Sequence, residues 1–405
     1  MKKTALILGS LLVLGSSVKI WLDLQEGKFP RLELALSRLG IYPDETLADN
    51  ARRYLNQGDA RSIELSVAGF TEALRRDASS PYRWCDLGEA LLAAGQQEKA
   101  LACYRRGLEL GPELAPILWR VSRCFLELDR QREALPYLAR ILEKTEALDT
   151  DVFAAIDAAG IPAADVLAYG LPEKEPRAGR AWFRHILGRA DIGDVRAAWD
   201  WLMARNFVDN QLAASWQDLL LRRKDYAGAR DSWIAYLGDR QGPWQRTQFI
   251  FNGDFEAEPT GAAFDWRTSA PAGVTVAPDD MEPGSGVRSM KVSFDGEHNV
   301  SFQHISQLTV LPPGSYRFSG ALRTAGITTD QGVGFRITDA ESPARLTVVT
   351  AALTGTHDWT RIEADFKTAP ETRLIRVEVI RLPSRKFDNK IQGAAWIDDI
   401  SISLR

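Results

Sequence analysis

The change of hydrophobic pattern near Gly242-Pro243-Trp244 constrains the fold of this chain more than any other feature. Between residues 40 and 240, apolar residues recur at helical spacing in stretches rich in Ala, Leu, Arg and Glu. Beyond residue 249, apolar and polar residues alternate in short runs separated by Gly, Pro, Asp and Asn, a pattern typical of strands. The sequence therefore predicts a multidomain protein, α then β, with a helical array at 40–240, a linker at 241–248 and a β-sandwich at 249–405.

Charge and composition exclude several classes of protein. The 50 Lys and Arg residues are outnumbered by 54 Asp and Glu residues, so the chain lacks the basic footprint of a nucleic-acid-binding protein. Four His and three Cys leave little material for a catalytic metal centre or a disulfide framework. We interpret Cys85, Cys103 and Cys124 as buried small apolar residues, with a Cys103–Cys124 disulfide as the alternative.

The first 30 residues have the layout of an export signal. Lys2 and Lys3 precede an apolar run from residue 4 to residue 18, and Lys19 follows it. No Ala-x-Ala cleavage site comes after the run, which favours an uncleaved signal anchor over a removed signal peptide; an ordinary core helix is the third alternative. We therefore expect a single pass through the inner membrane, with the rest of the chain in the periplasm.

Tandem repeats organise the helical region. Trp84, Leu87-Gly88, Leu91, Ala100-x-x-x-Tyr104 and Pro112 follow one another at fixed spacing, with small residues where two helices would approach closely. This pattern resembles the tetratricopeptide repeat, and its best unit covers residues 81–114. Leu91 and Tyr104 depart from the residue types of the family, although both remain bulky.

By this resemblance, the array has a concave groove that binds a partner protein. An array that serves only as a spacer, with its aromatic residues in the core, is the alternative. The positions that the resemblance places in the groove are Tyr82, Cys85, Glu89, Trp119, Arg123 and Glu127.

The β region carries a second resemblance. Its elements are Phe251-Asn-Gly-Asp-Phe-Glu256, Trp266, Gly286-x-x-Ser289, Gln303, Pro313-Gly-x-Tyr316-x-Phe-Ser319, Trp359 and Trp396-Ile-Asp-Asp-Ile-Ser-Ile402. In this order they resemble carbohydrate-binding modules with a galactose-binding-like jelly roll. The resemblance implies a two-sheet sandwich that binds a glycan or polysaccharide, although this fold also serves purely structural roles.

The resemblance also implies a structural Ca²⁺ site. Glu256 and the pair Asp398-Asp399 lie near the two ends of the domain, on strands that are neighbours in the family. Carboxylates are the ligands that calcium prefers. The alternative is that these acids only face solvent at strand ends.

Sugar binding normally uses an aromatic platform surrounded by polar groups. We expect Trp396 to point into the core and Trp266 to be exposed, with Trp359 as a second platform. Arg385 and Lys386 belong to a basic loop that could contact an acidic polysaccharide, unless it is merely solvated. The loop contains Arg381, Arg385, Lys386, Phe387, Asn389 and Lys390.

No catalytic motif accompanies these features. The sequence contains no Gly-x-Ser-x-Gly, His-Glu-x-x-His or phosphate-binding loop, and its four histidines are isolated. We therefore expect a non-catalytic, membrane-tethered adaptor that binds a partner protein through its helical repeats and a glycan through its sandwich. The alternatives are a protein scaffold without a glycan ligand and a polysaccharide-active enzyme.

Overall fold

The structure, a computed structural model, describes residue 35 and residues 44–405. The described residues form two compact units: 44–186 with 190–201, and 187–189 with 202–405. The predicted signal anchor at residues 1–30 lies outside the described residues. In the part of the chain that the structure describes, no helix is long and apolar enough to cross a membrane.

The helical region consists mainly of successive helices arranged as antiparallel pairs. The bounds are α1 Asp44–Gln57, α2 Ala60–Arg76, α3 Pro81–Ala93, α4 Gln97–Leu110, α5 Ala115–Glu127, α6 Gln131–Lys144, α7 Asp149–Ala158, α8 Ala163–Asp165, α9 Pro176–Ile186, α10 Ile192–Ala204, α11 Asn210–Arg222 and α12 Tyr226–Leu237. Pro81 opens α3, where its missing N–H costs no hydrogen bond. Asp59 caps α2 by accepting hydrogen bonds from the backbone N–H groups of Arg61 and Ser62.

The packing of α3 on α4 agrees with the reasoning from sequence. Gly88 is buried against Tyr104, whose ring would lie 3.0 Å from a Cβ at position 88. The first helices of three successive pairs begin at Pro81, Ala115 and Asp149, a spacing of 34 residues. An N-terminal helical domain is therefore confirmed, whereas its assignment to the tetratricopeptide family stays a prediction.

All three cysteines are free and buried. The interpretation of Cys85, Cys103 and Cys124 as small apolar residues is confirmed, and the alternative disulfide is wrong. Burial raises the pKa of Cys85 to about 12, so this thiol stays protonated at neutral pH.

The C-terminal region is a sandwich of two five-stranded sheets. The strands are β1 Arg267–Thr268, β2 Val274–Asp279, β3 Ser289–Asp295, β4 Phe302–Val310, β5 Ser315–Ile327, β6 Gly334–Asp339, β7 Thr347–Val349, β8 Gly355–Lys367, β9 Leu374–Arg381 and β10 Gln392–Leu404. Sheet A has the order β1-β4-β9-β6-β7, and sheet B has the order β2-β3-β10-β5-β8. The strand pairs within both sheets are antiparallel. The predicted α-then-β fold class is confirmed at this level.

The core of the sandwich lies between the two sheets. Alternate residues of each strand point inward, as shown by Val377 and Val379 in sheet A and by Ala395 and Ile397 in sheet B. The intervening residues form the two outer faces. These outer faces and the loops are the surfaces available to a ligand.

The last helical pair belongs to the same compact unit as the sandwich. The ring of Phe251 lies 6.2 Å from Trp233 of α12 and 6.1 Å from Trp244, measured between centroids. Gln217 of α11 accepts a hydrogen bond of 3.0 Å from the backbone N–H of Ala263. The predicted linker at 241–248 is therefore part of the folded unit, because its residue Trp244 is buried between aromatic rings.

Candidate functional site

The second unit contains a cavity of about 480 Å³ beside β10. It is enclosed by the turn after α12, the segment that carries the Asn-Gly-Asp motif, and neighbouring parts of β8 and β10. The volume falls in the range of roughly 300–1,000 Å³ that is usual for small-ligand sites. Its charged lining residues are Arg240, Asp254, Glu256, Arg361 and Asp399.

The Asn252-Gly253-Asp254 turn forms one wall of the cavity. Asn252 has a φ of 50°, and its side-chain amide bonds to both the N–H and the C=O of Ala257, at 3.0 and 2.9 Å. A Cβ on Gly253 would lie 1.9 Å from the carbonyl oxygen of Ile400 in β10, so only glycine fits. The motif that carried the sequence resemblance therefore holds the cavity wall against the last strand.

Asp399 places a carboxylate in the lining of the cavity. The register of β10 against β5 shifts between Asp398 and Ser401, and Asp399 has a φ of 49°. Its Oδ1 accepts a hydrogen bond of 2.8 Å from Ser285, and its Oδ2 accepts one of 3.4 Å from Arg361. The bulge thus sets a carboxylate and a guanidinium side by side at the rim.

Asp398 is buried beneath this rim. It accepts hydrogen bonds from the backbone N–H groups of Gly284, Ser285 and Asp399, at 2.9, 2.7 and 2.7 Å. Burial raises the pKa of Asp398 to about 6, and the charge of Asp399 acts in the same direction. A carboxyl group with a raised pKa beside a cavity is a common property of functional sites.

The residues predicted to bind calcium contact different positions along one loop. Oε1 of Glu256 accepts hydrogen bonds from Val287 and Arg288, while Asp398 and Asp399 bind the start of the same loop at Gly284 and Ser285. The described residues contain no group of three His, Cys, Asp or Glu side chains that could hold a metal ion. The three carboxylates accept hydrogen bonds from this loop, and the calcium site stays a sequence prediction.

Trp266 and Trp396 lie elsewhere than the sequence predicted. Trp266 is fully buried, and its indole N–H donates to the carbonyl of Asn252 at 2.8 Å, so it supports the cavity wall from behind. Trp396 lies on the outer face of sheet B, opposite the inward-pointing Ile397, with Lys291 and Arg323 over its ring at 4.9 and 5.0 Å. Trp359 is partly exposed on β8.

Arg385 and Lys386 are exposed, but the structure does not bring them to the cavity. They lie in the loop between β9 and β10, ahead of Gln392, whereas Asp399 lies seven residues further along β10. Seven residues of strand span about 23 Å. The residue next to them, Phe387, belongs to the same loop and is fully exposed.

The outer face of sheet A carries a second polar surface. Arg336 of β6 donates to Glu378 of β9 and to Gln303 of β4, both at 2.7 Å. These three residues form a row across adjacent strands. Glu378 is buried, and the three side chains are bonded to one another.

The helical unit has a groove of its own, a cavity of about 620 Å³. It brings together Glu89, Arg123 and Glu127 of the predicted set. Tyr82 is exposed but lies outside the cavity lining, Trp119 is partly buried, and Cys85 is fully buried. Among the other lining residues, which the prediction from sequence missed, the charged ones are Arg52 and Arg120.

An ion-pair network covers the floor of this groove. Arg120 donates to Glu89 and Asp86, each at 2.7 Å, and Arg52 contacts the same two carboxylates. Burial lowers the pKa of Arg120, but the bond to Glu89 and the charge of Asp86 outweigh it and leave the pKa raised. The network therefore links the first helices of three successive pairs.

No family model and no curated protein matches the chain. Among solved structures, the CBM22-1 xylan-binding domain from Paenibacillus barcinonensis is 16% identical, with 34% of this chain and 85% of that one covered and a TM-score of 0.25. The module TmCBM61, in complex with beta-1,4-galactotriose, is 18% identical over 39% of this chain and 99% of that one, with a TM-score of 0.28. A CBM4 module is 14% identical over 38% of this chain and 99% of that one, also with a TM-score of 0.28. At these identities the similarity concerns only the fold of the C-terminal sandwich.

Proposed function

We propose that the chain is a non-catalytic, membrane-tethered adaptor of the extracytoplasmic space, whose sandwich binds a glycan in the cavity beside β10. The observation that carries this proposal is the rim of that cavity, where the carboxylate of Asp399 and the guanidinium of Arg361 stand side by side. The exposed Asp254 belongs to the same lining.

The chemistry of the lining suits a sugar. A carboxylate accepts and a guanidinium donates hydrogen bonds, so the pair can bond to two neighbouring hydroxyls of one ring. The partly exposed ring of Phe251 gives the apolar C–H face of a pyranose a surface on which to pack. The Gly253 contact and the bulge at Asp399 fix the backbone around the cavity, which lowers the ordering cost of binding.

The helical unit supplies the second half of the adaptor. Its groove presents Arg123 and Glu127, both more than half exposed, above the internally paired Arg120. Tyr82, whose backbone carbonyl accepts a hydrogen bond of 3.4 Å from Arg120, adds an exposed aromatic ring. A polar, extended segment of a partner protein fits this mixture of charges better than an apolar helix does.

A glycan array with the full chain, followed by calorimetric titration of the best oligosaccharide, tests the glycan proposal. Arg361→Ala removes a rim donor whose side chain is more than half exposed, and we expect it to weaken binding by about tenfold, since a hydrogen bond to a charged group contributes roughly 1.5–3 kcal/mol. Arg376→Ala is the matched control, because Arg376 is an exposed arginine of sheet A away from the cavity.

Retention of no glycan on the array would overturn the proposal. Equal affinities for Arg361→Ala and the unchanged protein would overturn the assignment to this cavity.

A further inference from the structure

The loop at residues 382–390, between β9 and β10, presents an apolar tip among cations. Phe387 is the most exposed of the large apolar side chains in the described residues, and Leu382 at the start of the loop is about half exposed, at 49%. Arg385, Lys386 and Lys390 surround the tip and are all exposed.

The base of the loop is held firmly. Arg381 is buried, and its guanidinium donates to Asn299 at 2.9 Å, to Thr329 at 3.0 Å and to the carbonyl of Asn389 at 3.3 Å. The backbone N–H of Ser384 donates to the same Asn299 side chain at 3.0 Å. These hydrogen bonds hold the base of the loop in place, so Phe387 is exposed on a supported loop and not on a loosely attached segment.

The loop projects from the end of the sandwich that lies away from the helical pair α11–α12. The helical pair α11–α12 contacts the other end, where Lys224 lies 3.2 Å from Glu341, just beyond β6. From Leu374 to Arg381, β9 separates the two ends by about 23 Å. Within the second unit, these helices leave the loop uncovered.

The charge and shape of the loop select its partner. Three exposed cations face one loop acid, Asp388, while Asp330 lies 3.6 Å from Lys386 and offsets part of its charge. A sugar ring needs a concave site with several converging polar groups, and Phe387 stands on a convex tip. An anionic bilayer accepts an aromatic side chain at headgroup depth and cations at its phosphates.

We propose that loop 382–390 docks on the surface of an anionic lipid bilayer, with Phe387 in the interface and Arg385, Lys386 and Lys390 on lipid phosphates. One aromatic ring and three cations give a weak, reversible contact. Such a contact sets the orientation of the sandwich at a membrane and does not anchor the protein.

The test uses the full chain on vesicles of phosphatidylcholine alone and on vesicles that also contain phosphatidylglycerol. Mass spectrometry follows the rate at which trypsin cleaves after Lys386. We expect cleavage on the anionic vesicles to be about tenfold slower than on the neutral vesicles, since the three cations are attracted to a bilayer with net negative charge and not to a neutral one, while the aromatic ring adds to the binding on either. Phe387→Ala should restore fast cleavage, whereas Met281→Ala, which removes another exposed apolar side chain of the sandwich, should leave the protection unchanged.

Equal cleavage rates on the two kinds of vesicle, or protection that survives Phe387→Ala, would overturn the proposal. A third arm adds soluble polygalacturonate without vesicles. Protection of Lys386 by this polyanion but not by anionic vesicles would assign the loop to an acidic glycan instead. None of these outcomes bears on the cavity lined by Arg361, so the two proposals fail independently.

Discussion

Two fully buried aspartates of the sandwich show how neighbours decide the behaviour of a carboxyl group. Burial alone raises the pKa of Asp339, but the guanidinium of Arg345 at 2.7 Å, the hydroxyl of Thr372 and two backbone N–H groups outweigh it, so the pKa is lowered. Asp398 has backbone donors but no cation in direct contact, and its pKa is raised to about 6. Asp339 therefore stabilises the fold in its ionised form. Asp398 stabilises the fold in its protonated form, and this stabilisation is lost as the pH rises from 3.8 to about 6.

The lowered pKa of Asp339 predicts a specific loss of stability in acid. Because its folded pKa lies below the ordinary 3.8, its contribution is present above that pH and disappears as the pH falls through the folded pKa. Asp339→Asn should lower the free energy of unfolding by about 2 kcal/mol at pH 7 and flatten its decline in acid. Urea unfolding of the full chain at a series of pH values measures both effects. Parallel curves for the two proteins would contradict the role given to the Arg345 pair.

At the scale of single elements, the sequence predicted what depends on short-range pattern. The Gly88 and Ala100 spacing predicted two closely packed helices, and the alternation around Trp359 and Trp396 predicted strands. The prediction that Trp266 is exposed was wrong, because a tryptophan in a loop can be buried when its indole N–H donates to a backbone carbonyl. The partners of Trp396 on β3 and β5 are distant in sequence. The face of the sheet that Trp396 occupies could therefore not be predicted from the sequence.

The contact of Gly88 with Tyr104 predicts a strong dependence on side-chain size. Gly88→Val forces atoms into the Tyr104 ring and should destabilise the helical domain by about 2 kcal/mol, since overpacking a tight contact costs roughly 1–3 kcal/mol. Gly188→Val is the control, because a Cβ at Gly188 meets no atom within 4 Å. Thermal unfolding followed by circular dichroism compares the two variants. Equal melting temperatures would show that the α3–α4 contact is looser than described.

At the scale of the whole molecule, the sequence placed the change from helix to strand at residues 241–248, whereas the compact unit that contains the sandwich includes the helices from residue 202 onward. The difference has a physical cause. The contacts of Phe251 with Trp233 and of Trp244 with Phe264 join residues that no local pattern connects. Hydrophobic periodicity reports the type of an element and not the element on which it packs.

These aromatic contacts predict which fragment is stable. A fragment of residues 249–405 lacks Trp233 and Trp244 and exposes Phe251 and Phe264, so it should melt at least about 10 °C below a fragment of residues 202–405, or aggregate. Scanning calorimetry of the two fragments measures the difference. Identical melting temperatures would mean that the sandwich does not need its helical pair.

A crystal structure of the full chain with the best oligosaccharide from the array would show whether the sandwich holds a glycan in the cavity beside β10. We expect a sugar ring within hydrogen-bond distance of Arg361 and Asp399, with its apolar face toward Phe251. A sugar bound instead along the outer face of sheet A, on the row of Gln303, Arg336 and Glu378, would contradict the assignment of the cavity.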